Sequence, residues 1–209
     1  MSPTAPSQTI DAFRGQLERQ RVIGIIRASD GGLAGERLDH LVGTGVGLVE
    51  VSLSTPGALD AIRRGQRAHG GIATIGVGTV LSADELHASV DAGARFVVTP
   101  TTDAAVLAAA AERGVPIVSG AATPSEVHRA VTAGAAAVKL FPASLWSIGA
   151  FEDLRTVFRD VGFVPTGGIS TTSAPRWIAA GAVAVGLGSA LTSPSTDVPD
   201  LLRELAAVR

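Results

Sequence analysis

TAGAAAVKLF, residues 132–141, runs a helix end, a glycine and an apolar stretch together without a break. The same order recurs in TGVGLVE (44–50), DAGARFVV (91–98), ERGVPIV (112–118) and AAGAVAVGL (179–187). Glycine just past a helix accepts the left-handed conformation that stops it, so each stretch predicts a helix feeding directly into a strand. Outward from these, eight short apolar runs space the chain: 22–27, 47–53, 73–78, 95–100, 115–120, 136–141, 162–167 and 183–188. Helix starts are marked by the capping boxes SADE (82–85) and TPSE (123–126), the second with proline at the first helical position.

Near-continuous apolar strands alternating with helices imply parallel strands covered on both faces. A doubly wound open sheet and a (β/α)8 barrel both meet this condition, and eight units in 209 residues fit a compact barrel better. GVGTVL (76–81) and GLGSAL (186–191) each begin Gly-x-Gly but carry leucine where a dinucleotide fingerprint needs its third glycine. The expectation is a single-domain α/β TIM barrel over residues 9–209, preceded by a disordered segment, residues 1–8.

Composition narrows the function classes. A formal net charge of −2 with scattered arginines makes no basic stripe for nucleic acid. The absence of cysteine removes disulfides, thiolate nucleophiles and cysteine-zinc sites together. No apolar run reaches the roughly 18 residues needed to cross a bilayer, and MSPTAPSQT has no signal-peptide pattern. A soluble cytoplasmic protein without nucleic-acid or membrane partners is expected.

Lys139 is the one lysine in the chain, against sixteen arginines, and it lies inside an apolar strand. Burying an ammonium without a partner is costly and favours the neutral amine, a nucleophile toward carbonyls; guanidinium cannot do that chemistry. If Lys139 faces the barrel interior, Ala137 and Phe141 share its face, while Val138 and Leu140 pack on helices. GLVEVSL (47–53) has the same design, with Glu50 inward and residues 49, 51 and 53 outward. Lys139 and Glu50 can then face one another across the barrel mouth, either as a structural salt bridge or as an imine-forming amine beside a proton-relaying carboxylate.

PTGGIS (165–170) and GLGSAL (186–191) follow strands 7 and 8, where barrels often bind phosphate through exposed backbone N–H groups. Gly167, Gly168, Gly188 and Ser189 are the candidates. His40, His69, His87 and His128 lie in predicted helices with no metal-ligand spacing, so the chemistry is expected to work without a metal.

Taken together, GLVEVSLSTPGA (47–58), IGVGTVL (75–81), FVVTP (96–100), IVSGAATPSE (117–126), VKLFPAS (138–144), PTGGIS and GLGSAL resemble the class I 2-keto-3-deoxy-6-phosphogluconate (KDPG) and 4-hydroxy-2-oxoglutarate (KHG) aldolases in order and spacing. The resemblance implies a compact barrel, commonly a homotrimer, that needs no cofactor and cleaves a 2-keto-3-deoxy sugar acid phosphate to pyruvate and glyceraldehyde 3-phosphate. It implies that Lys139 is the Schiff-base lysine, Phe141 a pocket wall and Glu50 the general acid/base. Thr79, Pro100 and Thr166 match the pyruvate site, and Gly167, Gly168, Gly188 and Ser189 the phosphate end. Some members carry an arginine where this chain has Ser54; Arg27, ending strand 1, then stands in as the carboxylate contact. The SLSTP form also resembles the 6-phosphogalactonate branch. An isomerase or synthase on a phosphate-binding barrel, and a barrel used only for binding, are the alternatives of another class.

Overall fold

The five glycines of the shared signal all adopt positive φ, from 60° at Gly114 to 103° at Gly93. A residue with a Cβ takes this conformation only at a cost, which is why the helices stop there. The computed structural model describes residues 6–208. Along it run α1 (Pro6–Gln20), β1 (Val22–Ile26), α2 (Gly31–Gly43), β2 (Leu48–Ser52), α3 (Ala58–His69), β3 (Thr74–Gly78), α4 (Ala83–Asp91), β4 (Val97–Val98), α5 (Ala104–Arg113), β5 (Ile117–Ala121), α6 (Pro124–Thr132), β6 (Ala137–Leu140), a 3-10 turn (Ala143–Leu145), α7 (Ile148–Val157), α8 (Ala174–Ala179), β7 (Val185–Leu187) and α9 (Val198–Ala207).

The strands are parallel in the order β6-β5-β4-β3-β2-β1-β7. Between β6 and β7 the chain 162–166 closes the ring. Val138 N donates to Gly162 O (2.8 Å) and Leu140 N to Val164 O (3.2 Å). On the other side, Val183 N donates to Phe163 O (3.0 Å) and Gly186 N to Pro165 O (2.9 Å). The predicted strand 162–167 is thus the eighth stave of the barrel, but among the described residues it holds only two isolated bridges, Val138↔Phe163 and Thr166↔Gly186. Pro165 has no N–H to give to a ladder, which breaks regular pairing in mid-segment.

Two apolar cores follow from strand alternation. Val49, Val51, Val138 and Leu140 face the helices in the outer core, while Ile23, Leu48, Phe96, Val98, Val118, Ala137, Val164 and Ala184 fill the barrel. Phe13 and Leu17 of α1 belong to this inner core, and the Phe13 and Phe96 rings lie 5.1 Å apart. The helix therefore plugs the N-terminal end of the barrel, each of the two side chains contributing roughly 1.5–3 kcal/mol on full burial. This floor is not apparent from the sequence. Because α1 begins at Pro6, the expected disordered segment overlaps the helix at residues 6–8, and its residues 1–5 lie outside the described residues.

Both capping boxes form. Ser82 Oγ accepts from Glu85 N, and Thr123 Oγ1 accepts from Glu126 N while Glu126 Oε2 accepts from Ala122 N. These contacts hold Glu126 below the usual carboxylate range, the Ala122 N–H first among the causes.

Candidate active site

A cavity of about 470 Å³ opens at the C-terminal ends of the strands. All eleven residues singled out from the sequence line it: Arg27, Glu50, Thr79, Pro100, Lys139, Phe141, Thr166, Gly167, Gly168, Gly188 and Ser189. The four histidines lie outside it, on α2, α3, α4 and α6. Ile25, Ile169, Gly186 and Ala190 complete the wall. Ile25 was within reach of sequence reasoning, since it stands two residues before Arg27 on the same strand face.

Lys139 is 6% exposed and Glu50 1%, each on the inward face of its strand. No ion pair joins them, so the alternative of a structural salt bridge is not the arrangement present. Lys139 Nζ instead stands over the Phe141 ring. Glu50 Oε2 is buried without a hydrogen-bond partner. Burial pushes the Glu50 carboxyl above its ordinary pKa, opposed by the charges of Lys139 and then Arg27. The carboxyl is therefore a proton acceptor stronger than a surface glutamate, directed at the same space as the only side-chain amine of the chain.

Small residues make the room. A Cβ on Gly78 of β3 would stand 2.6 Å from Glu50 Oε1, and one on Gly186 would stand 2.3 Å from Thr166 Oγ1. Glycine at these positions lets the two polar side chains lie across the neighbouring stave. Thr166 Oγ1 donates to Val164 O (3.1 Å), which leaves its lone pairs toward the cavity.

At the opposite side, Arg27 Nε donates to Ser54 Oγ (3.2 Å), Ser54 and Ser52 hydroxyls lie 2.8 Å apart, and Ser52 and Thr79 hydroxyls 2.8 Å apart. Thr79 has φ of 63°, a conformation disfavoured for a β-branched residue and held here by its surroundings. The terminal nitrogens of Arg27 carry no hydrogen bond among the described residues. Gly167 and Gly168 turn at φ of 92° and 79°. The N–H groups of Gly167, Gly168, Gly188 and Ser189 likewise have no protein acceptor among the described residues.

Ser52, buried behind the cavity wall and in contact with Thr79, is the polar residue that sequence reasoning missed. It sits two positions after Glu50, so alternation along β2 was the signal that would have placed it inward.

Comparison with known proteins bears on the family and the fold. A probable 2-dehydro-3-deoxy-6-phosphogalactonate aldolase of Rhizobium meliloti is 31% identical over 89% of this chain and 88% of its own. The crystal structure of the 2-keto-3-deoxy-6-phosphogluconate aldolase of Zymomonas mobilis with 3-phosphoglycerate superposes with a TM-score of 0.81 at 30% identity, covering 94% of this chain and 96% of that one. The KDPG aldolase of Legionella pneumophila, with pyruvate captured as a covalent carbinolamine, does so at 0.76 and 26% identity over 98% of both chains. The family model for KDPG and KHG aldolase matches residues 14–204, and the chain belongs to this family of aldolases.

Proposed function

We propose that the protein cleaves a 2-keto-3-deoxy-6-phospho sugar acid, KDPG, to pyruvate and glyceraldehyde 3-phosphate through an imine on Lys139. The observation that carries this reading is the pairing of Lys139 and Glu50 on one cavity wall without an ion pair between them. The Lys139 amine attacks the C2 ketone, and loss of water from the carbinolamine gives the iminium. Glu50, through a water, takes the C4 hydroxyl proton as the C3–C4 bond breaks. The bond's electron pair passes into the iminium to give an enamine, and the aldehyde departs. Protonation of the enamine at C3 and hydrolysis by water release pyruvate and restore the amine.

In this reading Arg27 and Thr79 hold the carboxylate, Phe141, Pro100 and Thr166 wall the pyruvate site, and the free N–H groups at Gly167, Gly168, Gly188 and Ser189 take the phosphate. No cofactor takes part. The protein acts as a cytoplasmic homotrimer, as the family resemblance implies.

A second reading, the 6-phosphogalactonate epimer as substrate, is favoured by Arg27 leaning on Ser54 in place of an arginine at that position, and by the Rhizobium relative. The unphosphorylated 4-hydroxy-2-oxoglutarate is the remaining family alternative. Parallel turnover assays on both phosphorylated epimers and on 4-hydroxy-2-oxoglutarate decide among these. Borohydride reduction in the presence of pyruvate tests the imine itself: one stable adduct per chain, mapping to Lys139, is expected. An adduct at the N-terminal amine alone would overturn the proposal.

A further inference from the structure

Ser52 is fully buried on β2, and its hydroxyl lies within 2.8 Å of two others. We infer that Ser52 and Ser54 form a one-way hydroxyl relay that starts at Arg27 and locks the Thr79 hydroxyl as a hydrogen-bond donor toward the carboxylate of the keto acid. The inference rests on the reading that this carboxylate sits beside Arg27 and Thr79.

The direction follows from the charge at the start of the series. A guanidinium has donors and no acceptor, and each hydroxyl has a single hydrogen. Arg27 Nε–H donates to Ser54 Oγ (3.2 Å), and donation by a cation makes that hydroxyl a stronger donor and a weaker acceptor, which favours sending its hydrogen to Ser52 Oγ at 2.8 Å. Ser52 Oγ also receives the Ser54 backbone N–H (3.4 Å), which leaves its own hydrogen for Thr79 Oγ1 at 2.8 Å. Thr79 thereby accepts from Ser52 and has its hydrogen left for the cavity. The opposite order, Thr79 to Ser52 to Ser54, is also open to the hydrogens, but it sets a neutral donor on an oxygen already taken by a cation and spends the Thr79 hydrogen inside the chain, away from the cavity. Burial of Ser52 shields its bonds to Ser54 and Thr79 from water, and hydrogen bonds in series reinforce one another.

The anchors on either side are themselves restrained. Arg37 Nη1 donates to the Arg27 carbonyl and Ala28 N donates to Thr55 Oγ1 (3.1 Å), which ties the loop after β1 to the loop after β2. The φ of 63° at Thr79 fixes where its side chain leaves the backbone. Ser52 and Ser54 are thus positioning residues. They act through Thr79 and give the site a preference for an anion over a neutral group at that end, because a locked donor suits a carboxylate and a freely turning hydroxyl suits either.

The test compares pyruvate with methyl pyruvate, a ketone of the same skeleton without the charge, by the concentration needed for half-maximal borohydride inactivation. Wild type, Ser52→Ala, Ser54→Ala and Ser54→Thr are measured. Loss of a locked bond to a charged group should raise the pyruvate requirement roughly tenfold in both alanine variants and leave methyl pyruvate within about twofold. Ser54→Thr keeps a hydroxyl at an exposed position and should behave as wild type. Equal losses toward the two ketones would assign the serines a merely structural role and overturn the relay, as would unchanged pyruvate binding in both alanine variants. Failure of wild type itself to form a Lys139 adduct is a different result, which would sink the aldolase reading and the relay with it.

Discussion

Lys139 Nζ stands 4.9 Å from the centroid of the Phe141 ring, two residues further along the same strand face. The ring is the closest aromatic partner of the amine, and no carboxylate is bonded to it. The amine is therefore held against a ring face, which offers it no carboxylate oxygen to pair with.

Lys139→Arg should retain the charge and the ring contact and yet be inert in turnover and in borohydride trapping, because guanidinium stays protonated. Lys139→Met should be inactive but at least as stable as wild type in chemical denaturation, since it removes a polar group from an apolar interior. Appreciable turnover by the arginine variant would return Lys139 to the rank of a structural cation.

Glu50→Gln should lower turnover by roughly 10²- to 10⁴-fold while pyruvate is still trapped slowly. It should also reveal the linkage to pH. Because burial raises the Glu50 pKa, the folded chain binds this proton more tightly than the unfolded chain. Its contribution to stability is complete below the ordinary value of 4.5 and is lost as pH rises through the higher folded value. The stability of Glu50→Gln relative to wild type should accordingly grow with pH above 4.5, read from unfolding curves at a series of pH values. A constant difference would show that Glu50 titrates like a surface residue.

Gly78→Ala places a methyl group where Glu50 Oε1 lies, 2.6 Å away. Turnover should drop at least about tenfold from misplacement of the acid/base. The double variant Gly78→Ala/Glu50→Gln should be little worse than Glu50→Gln alone, since both changes act on one group. Additive losses in kcat would mean that the alanine disturbs something other than the carboxylate.

Arg27→Ala should raise KM for the sugar acid, and the pyruvate concentration needed for trapping, by a similar factor, with kcat less affected. A charge-assisted contact to a carboxylate is already made in the ground state. The change also removes one of the two cations that restrain the Glu50 pKa, so that pKa should climb further. An unaltered KM would assign the carboxylate to the Thr79 and Thr166 side alone.

The legible parts of this molecule were those written in local chemistry. Alternation set Glu50, Lys139 and Phe141 inward, the loops after strands 7 and 8 gave Gly167, Gly168, Gly188 and Ser189, the family resemblance supplied Arg27, Thr79, Pro100 and Thr166, and all eleven line one cavity. What escaped depended on partners distant in sequence. Phe13 and Leu17 take their role only from the barrel floor that receives them, residues far along the chain such as Phe96. Pro165 allows an extended run but denies it a ladder, so the eighth stave looked more regular in sequence than it is. The positive φ of Thr79 has no local signal, because a β-branched residue adopts it only under tertiary constraint.

The plug formed by α1 has a consequence for traffic. With Phe13 and Leu17 filling the N-terminal end of the barrel, the cavity around Lys139 and Glu50 opens at the far rim. Of the two fragments made by cleavage, one is tethered to the wall by a covalent bond and the other is loose and nearer the exit. The loose aldehyde must clear that rim before the water that frees the tethered fragment can take its place. The covalent tether sets the order of release, and the α1 plug sets its direction, toward the C-terminal ends of the strands.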